Sequence, residues 1–540
     1  MSGGLLKPSA DLDFLTGVVE GFYGRPWTYP QRKELFRRMN HMGMNAYLYA
    51  PKDDIKHRQS WRDLYTTEEE QQLQSLITES TEAGILFIFA LSPGLDVTFS
   101  SAKEVDILKK KVDQVSKLGC RAFALLFDDI EPRLCPADRE VFTSSARAQV
   151  VFANDLYNYL GCPNVFLFCP TEYSASLAVP NISKSEYLST VASYLAPDIA
   201  IIWTGPLVVS KNILAKELEE LTKLLQHPIV LWDNLHANDY DQRRVFIGPY
   251  SGRSLALRRK GLIRGVLTNP NCEFEANYVA LHTLAQWSRH GTIKPQSSQI
   301  TDKEMTDVAS RETNLEPEAT ETEDDDGFIN DSNEPSDGIN QSSTTYRPRE
   351  ALLVALRDWL SLMRQDQQSH TANSKSSGAV CATPVPMDTD TAEPPPSAPE
   401  AEMQVEPLLA PSPSGQPPPT DALSDSSGVS TSVDVTLEDL ELFADLFYLP
   451  FAHGPAGMRL LELGHWLREH SHACGLKIAD PERDEWIKKL SEFVELVSSV
   501  SLLRDRIQRL PSRSIAYELA PYITEMHTVL GMVLDYFRWL

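Results

Sequence analysis

From Thr16 to about Asn271 the chain repeats one pattern eight times: a short apolar run, then a longer amphipathic stretch. The runs are Gly17–Tyr23, Met44–Tyr49, Ile85–Leu91, Ala122–Phe127, Val165–Phe168, Ile199–Trp203, Ile229–Trp232 and Gly265–Thr268. Their length and their β-branched and aromatic content mark them as strands buried on both faces. Between them, Arg32–Met42, Glu68–Ala83, Lys103–Lys117, Arg139–Leu160 and Lys211–Gln226 carry apolar residues at helical spacing. Eight strand–helix repeats in roughly 270 residues predict an α/β fold of the TIM-like (β/α)8 barrel type. In such barrels the active site is built from loops at the C-terminal ends of the strands.

Beyond the barrel the pattern changes. Residues 293–346 and 368–433 are rich in Ser, Thr, Pro, Asp and Glu, a composition too poor in apolar side chains to bury a core. Between them Leu352, Leu353, Leu356, Leu360 and Met363 fall on one face of a helix that needs a partner. After residue 434 the chain predicts helices over approximately Leu437–Phe447, Gly457–Glu469, Arg483–Arg509 and Ser514–Leu540. The expected division is therefore a flexible N-terminus (1–12), the barrel (13–292), an acidic disordered linker (293–346), a helix (347–367), a disordered Pro/Ser/Thr-rich insert (368–433) and an α-helical bundle (434–540). The bundle recruits the 347–367 helix across the insert, so that two folded bodies are expected.

The formal net charge of −25 excludes an ordinary nucleic-acid surface, which needs Lys and Arg to displace counterions. Roughly half of that charge lies in about forty residues after Thr301, in the linker. The seven cysteines form no CxxC pairs and no disulfide framework, and no His/Cys cluster has metal-ligand spacing. Neither a secretion signal nor an apolar run of membrane-spanning length is present, so a soluble protein of a reducing compartment is expected, in cytoplasm or nucleus.

The unusual polar residues cluster at the expected strand ends. Asp128 and Asp129 follow strand four, with Glu131 just beyond. A helix-capping aspartate is the competing reading for one of them. Two together suit an acid and an anion whose ionisation is split by mutual repulsion, the arrangement glycoside hydrolysis uses. Trp203 and Trp232 end strands six and seven, where an indole face can stack on a sugar ring or simply pack. The run Asp233–Tyr240 is dense in groups that bind vicinal hydroxyls, or that make Asx turns. Gly17, Gly21 and Gly24 allow close backbone approach near strand one, and Lys52 after strand two is either a hydroxyl donor or a surface lysine. Arg25, Asp53, Glu172, Tyr173, Asn269 and Asn271 also sit at strand ends, and His236 reads as structural.

Longer motifs point further. Gly17-Val-Val-Glu-Gly-Phe-Tyr-Gly-Arg-Pro-Trp27, Tyr49-Ala-Pro-Lys-Asp-Asp54, Leu126-Phe-Asp-Asp-Ile-Glu131, Cys169-Pro-Thr-Glu-Tyr173, Trp203-Thr-Gly-Pro206, the stretch Trp232–Asp241 and the stretch Leu267–Asn277 span the whole barrel. Together they resemble glycoside hydrolase family eighty-four, and Leu446–Pro455 resembles the start of that family's helical stalk in its animal members. The resemblance implies a β-N-acetylglucosaminidase that removes O-linked N-acetylglucosamine from Ser or Thr of intracellular proteins. It implies retention through an oxazoline formed by the substrate's own acetamido oxygen, with no metal or organic cofactor. In that scheme Asp128 orients the acetamido group and Asp129 is the acid and then the base. Tyr173 and Asn234 hold the acetamido group and its aspartate, Gly21, Lys52, Asp239 and Asn269 bind sugar hydroxyls, and Trp232 lines the pocket. The implied partners are the modified proteins and, through the stalk, a second copy in a homodimer whose cleft Tyr536 and Trp539 help to form. The resemblance places a further stalk segment after Leu540, and aromatic residues at the positions of Leu177 and Val179. A non-catalytic sugar-binding scaffold and a glycosaminoglycan hydrolase of the hyaluronan-cleaving type are the competing functions.

Overall fold

The computed structural model describes residues 14–131, 133–290, 345–376, 434–477 and 479–540, with backbone alone for 366–376. Residues 1–12 and the two stretches expected to be disordered fall almost wholly outside these ranges. All eight expected strands form: β1 (Leu15–Glu20), β2 (Ala46–Tyr49), β3 (Leu86–Leu91), β4 (Ala122–Leu126), β5 (Phe166–Cys169), β6 (Ala200–Trp203), β7 (Ile229–Asp233) and β8 (Gly265–Thr268). They pair in parallel, in chain order, and β1 closes on β8 to complete the barrel.

The strands alternate between two buried layers, as a pleated strand with both faces covered must. Leu15, Val19, Ala46, Leu48, Ile88, Ala90, Ala124, Leu126, Leu167 and Val230 fill the inside. Tyr47, Phe87, Phe89, Phe123, Leu125, Phe168, Ile201 and Leu231 face the helices. Small residues inside and aromatics outside fit the taper of a narrow barrel. Gly17 is required by that narrowness, since a Cβ there would lie 1.6 Å from the carbonyl oxygen of Ala46 on β2.

Helix starts follow local chemistry. Thr28 and Gln31 form a capping box at the Tyr29–Met42 helix, Pro30 occupies its first turn, and Gly43 ends it with φ of 75°. One expected helix, Arg139–Leu160, is two: Pro136–Val141 stops at an extended Phe142, and Ser144 caps a new start at Ser145–Tyr159. A short helix, Glu186–Tyr194, escaped the periodicity reading.

The described residues up to Gln365 and those from Asp434 onward make one compact unit. The sequence reading separated barrel from bundle; specific contacts join them instead. The helix Pro348–Ser376 buries Leu352, Leu356, Leu360 and Met363 as its pattern predicts. Its Trp359 stacks on Tyr278 of the barrel helix Tyr278–His290, at 5.9 Å and 9°. Its Arg349 reaches Asp445 Oδ1 on the helix Leu437–Leu446 at 2.6 Å. The backbone of Ile247 and Gly248 donates to Phe447 and Tyr448 carbonyls, each at 2.6 Å, so barrel loop and helical region share a main-chain seam.

Candidate active site

A cavity of about 290 Å³ opens at the C-terminal end of the strands. Gly21, Lys52, Asp128, Asp129, Tyr173, Trp232, Asn234, Asp239 and Asn269 all line it, joined by Tyr23, Cys169, Ile202, Thr204, Val208, Val209, Ala237 and Tyr240. They arrive from the ends of seven strands, every one but β3, which is how residues 248 positions apart come to share one wall.

Adjacent strand residues point to opposite faces, yet Asp128 and Asp129 both reach the cavity. The chain manages this by leaving the strand: β4 ends at Leu126, and Asp129 adopts φ of 51°, the left-handed region that Asp tolerates better than most residues. Tyr173 donates to Asp129 Oδ1 at 2.8 Å. Burial and the neighbouring carboxylate push the Tyr173 hydroxyl well above its ordinary range, so it keeps its proton and remains a donor. Asp128 Oδ2 faces Arg58 Nη1 at 3.5 Å, while its Oδ1 is buried with no hydrogen-bond partner in the protein. Such an atom is costly unless a ligand meets it.

Another part of the lining is a hydrogen-bonded chain of one indole and two amide side chains. Trp232 Nε1 and Asn269 Nδ2 both donate to Asn234 Oδ1 at 3.0 Å, and Asn234 Nδ2 donates to the Val208 carbonyl at 2.7 Å. Asn269 Oδ1 is left buried and unpartnered, a second waiting acceptor. Gly21 matters to this part of the lining as well as to a ligand, because any Cβ on it would enter the Trp232 ring. Asp239 accepts from the Tyr23 backbone at 2.7 Å, and Lys52 Nζ sits 4.6 Å from the centre of the Tyr23 ring.

Not every strand-end residue reaches the cavity. Trp203 is 1% exposed and packs outside the barrel, because its place on β6 belongs to the helix-facing layer. Asp233 is held by Arg253 Nη2 at 2.6 Å and by Tyr250. Asn271 bonds the Phe246 backbone and Asn277, and His236, kept neutral by burial, bonds the Gly248 carbonyl. Asn238 ties the Arg244 carbonyl to Glu273, Glu172 accepts from Ser185, Asp53 pairs with Arg32, and Arg25 lies over Tyr517. These residues build the loops. Tyr173 and Asn234, expected to hold the acetamido group and its aspartate, both line the cavity, Tyr173 bonded to Asp129 and Asn234 to Trp232, Asn269 and the Val208 carbonyl; the side chain beside the Asp128 carboxylate is Arg58. No sequence pattern marks Arg58, although it lies six residues beyond Lys52 in the same strand-end loop.

Among the described residues no helix is long and apolar enough to cross a membrane, and no group of three or more His, Cys, Asp or Glu is placed to hold a metal ion.

Residues 16–321 match the family model described as beta-N-acetylglucosaminidase. The chain is 39% identical to the protein O-GlcNAcase of Mus musculus over 620 aligned residues, covering 98% of this chain and 66% of the mouse protein. Identity and coverage are the same for the protein O-GlcNAcase of Rattus norvegicus. The chain thus spans 66% of the length of these curated relatives. In fold it is similar to a mutant O-GlcNAc hydrolase of Thermobaculum terrenum, with a TM-score of 0.66, 22% identity, and coverage of 97% of this chain and 83% of the other.

Proposed function

Because the chain belongs to the beta-N-acetylglucosaminidase family, we propose that it is a retaining exo-β-N-acetylglucosaminidase that removes single O-linked N-acetylglucosamine residues from Ser and Thr of intracellular proteins. The observation that carries this reading is the unequal pair in the cavity: Asp128 with a buried, unpartnered Oδ1, and Asp129 held by Tyr173. An enzyme nucleophile and an acid would have to stand on either side of the scissile bond. Neighbours turned into one cavity by a left-handed residue suit two separate tasks, one at the acetamido group and one at the leaving oxygen.

Asp128 Oδ1 accepts the acetamido N–H and stabilises the positive charge that grows as the acetamido oxygen attacks the anomeric carbon. As that C–O bond forms, the bond to the Ser or Thr oxygen breaks, and Asp129 gives its proton to the departing oxygen. The product is an oxazoline. Asp129, now an anion steadied by Tyr173, takes a proton from water, which attacks the anomeric carbon and reopens the oxazoline. Two inversions retain configuration. Lys52, Asp239, Asn269 and the Gly21 backbone hold the hydroxyls, Trp232 lies along the ring, and Asn234 fixes Trp232 and Asn269. The chemistry as written calls on no cofactor. The exposed apolar side of the last helix supports a further proposal, pairing with a second copy.

The test uses two substrates, a fluorogenic aryl N-acetylglucosaminide and a serine-linked glycopeptide. Asp129→Ala is expected to slow the glycopeptide by about 100-fold to 10,000-fold and the activated aryl glycoside far less. Asp128→Asn is expected to cripple both. A wild-type chain that turns over neither substrate overturns the reading, as does equal loss on both for Asp129→Ala.

A further inference from the structure

We propose that Arg58 is a positioning residue, which holds the Asp128–Asp129 turn and aims the Asp128 carboxylate; this rests on the reaction proposed above. One guanidinium meets the turn at three points. Its Nη2 lies 3.4 Å from the Asp128 carbonyl oxygen and 3.3 Å from that of Asp129, and its Nη1 lies 3.5 Å from Asp128 Oδ2. Two successive carbonyls converge on one nitrogen because Asp129 is left-handed, with φ of 51°. A side chain that gathers those carbonyls stabilises the conformation that brings both carboxylates to one cavity. By engaging Oδ2 it also decides which oxygen of Asp128 is left for substrate. That oxygen, Oδ1, is the buried unpartnered one.

Arg58 is itself held. Its Nη1 donates to Ser92 Oγ at 3.0 Å, and Ser92, fully buried just after β3, donates its own N–H to the His57 carbonyl at 3.0 Å. His57 Nδ1 lies 2.8 Å from the Ala90 carbonyl of β3. Burial, reinforced by Lys52, lowers His57 to about 4, so the neutral ring donates from Nδ1 across the physiological range. The loop after β2 is thereby clipped to β3, and Arg58 carries that rigidity across to the end of β4. Such support of a reacting group by an anchored neighbour is what fixes it to within fractions of an ångström.

The role is a geometric one, so the loss should fall on turnover. On the aryl glycoside, Arg58→Ala is expected to lower kcat about 100-fold, the cost of misplacing a catalytic group by about 1 Å, while KM changes by less than about threefold. Arg58→Lys keeps the charge and one donor, and should recover about tenfold of that loss. The decisive measurement is the double-variant cycle: in an Asp128→Asn background, Arg58→Ala should cost little more, because residues acting as one unit are not additive. Additive losses overturn the proposal, and so does a rise in KM with kcat intact. Should Arg58→Ala fail to fold, Arg58→Lys and Arg58→Gln carry the same cycle. An active wild type with unaltered Arg58 variants defeats this inference alone, whereas an inactive wild type defeats the reaction it rests on.

Discussion

A methyl group added to Gly21 would lie 2.3 Å from Cζ2 of Trp232, well inside contact distance. Gly21→Ala must therefore push the indole aside, and Trp232 in turn shares Asn234 Oδ1 with Asn269. We expect kcat/KM on an aryl glycoside to fall at least tenfold, with about 1–3 kcal/mol of stability lost to overpacking; kinetics and urea unfolding of the same preparation measure both. Wild-type kinetics would show Gly21 to be a spacer of no consequence. At this scale strand-end position is legible in the sequence, and a barrel gathers many, though not all, of those positions at one place. The sequence was silent on orientation. Trp203 and Trp232 read alike as strand-end aromatics, and only strand register sends one outward and the other into the cavity. Arg58 was illegible for a related reason: its importance lies in two backbone carbonyls seventy and seventy-one positions away, and a left-handed φ leaves no mark in composition.

Between elements, two buried ionisable groups make contacts that respond to substitution and to pH. Glu20 at the end of β1 is 1% exposed and Arg32 of the Tyr29–Met42 helix is 2% exposed, joined by Nη2–Oε1 at 2.8 Å, with Tyr47 donating to the same carboxylate. Burial pushes Glu20 above its ordinary range despite the arginine, whose own ionisation is held up by Glu20. Arg32→Ala leaves Glu20 uncompensated and should cost about 3–5 kcal/mol, whereas Glu20→Gln with Arg32→Met should cost much less; chemical unfolding compares the two. A second device lies where the helix Arg513–Trp539 meets the barrel. Glu518 accepts from the Glu275 backbone at 2.7 Å and from Gln31 at 3.0 Å, and burial beside Glu275 and Glu273 raises it from 4.5 to about 7, against the opposing pull of Arg25. A raised carboxyl binds its proton more tightly in the folded chain, so its contribution is full below about 4.5 and is lost as pH climbs through about 7. The melting temperature should therefore decline between these limits and decline less in Glu518→Gln. Identical pH profiles for the two proteins would refute it.

Over the whole molecule, periodicity made the eight strands and the late helices readable, since both ladders repeat at fixed spacing. What it hid was their union. The Ile247–Gly248 to Phe447–Tyr448 seam, the Trp359–Tyr278 stack and the Glu518 contacts join residues far apart in sequence and depend on main-chain geometry that no local pattern announces. Such a union predicts that barrel and helical region unfold together, with fluorescence and far-ultraviolet dichroism tracing one transition. The same packing leaves one surface uncovered: along the last helix Val529, Met532, Tyr536 and Trp539 are exposed, Trp539 at 80%, and they recur at helical spacing on one side. A row of large apolar side chains facing water favours association, and a symmetric pairing of two such helices covers both rows at once. Sedimentation velocity at rising concentration should show a reversible monomer–dimer equilibrium, and Trp539→Glu with Met532→Glu should shift it toward monomer at least tenfold, since each introduces a charge into an interface that would otherwise be dry. Because the cavity and the barrel seam lie elsewhere, hydrolysis of a small aryl glycoside by that variant should be unchanged. A wild type that stays monomeric at every concentration, or a variant that pairs as well as the wild type, would remove the last helix as the site of pairing.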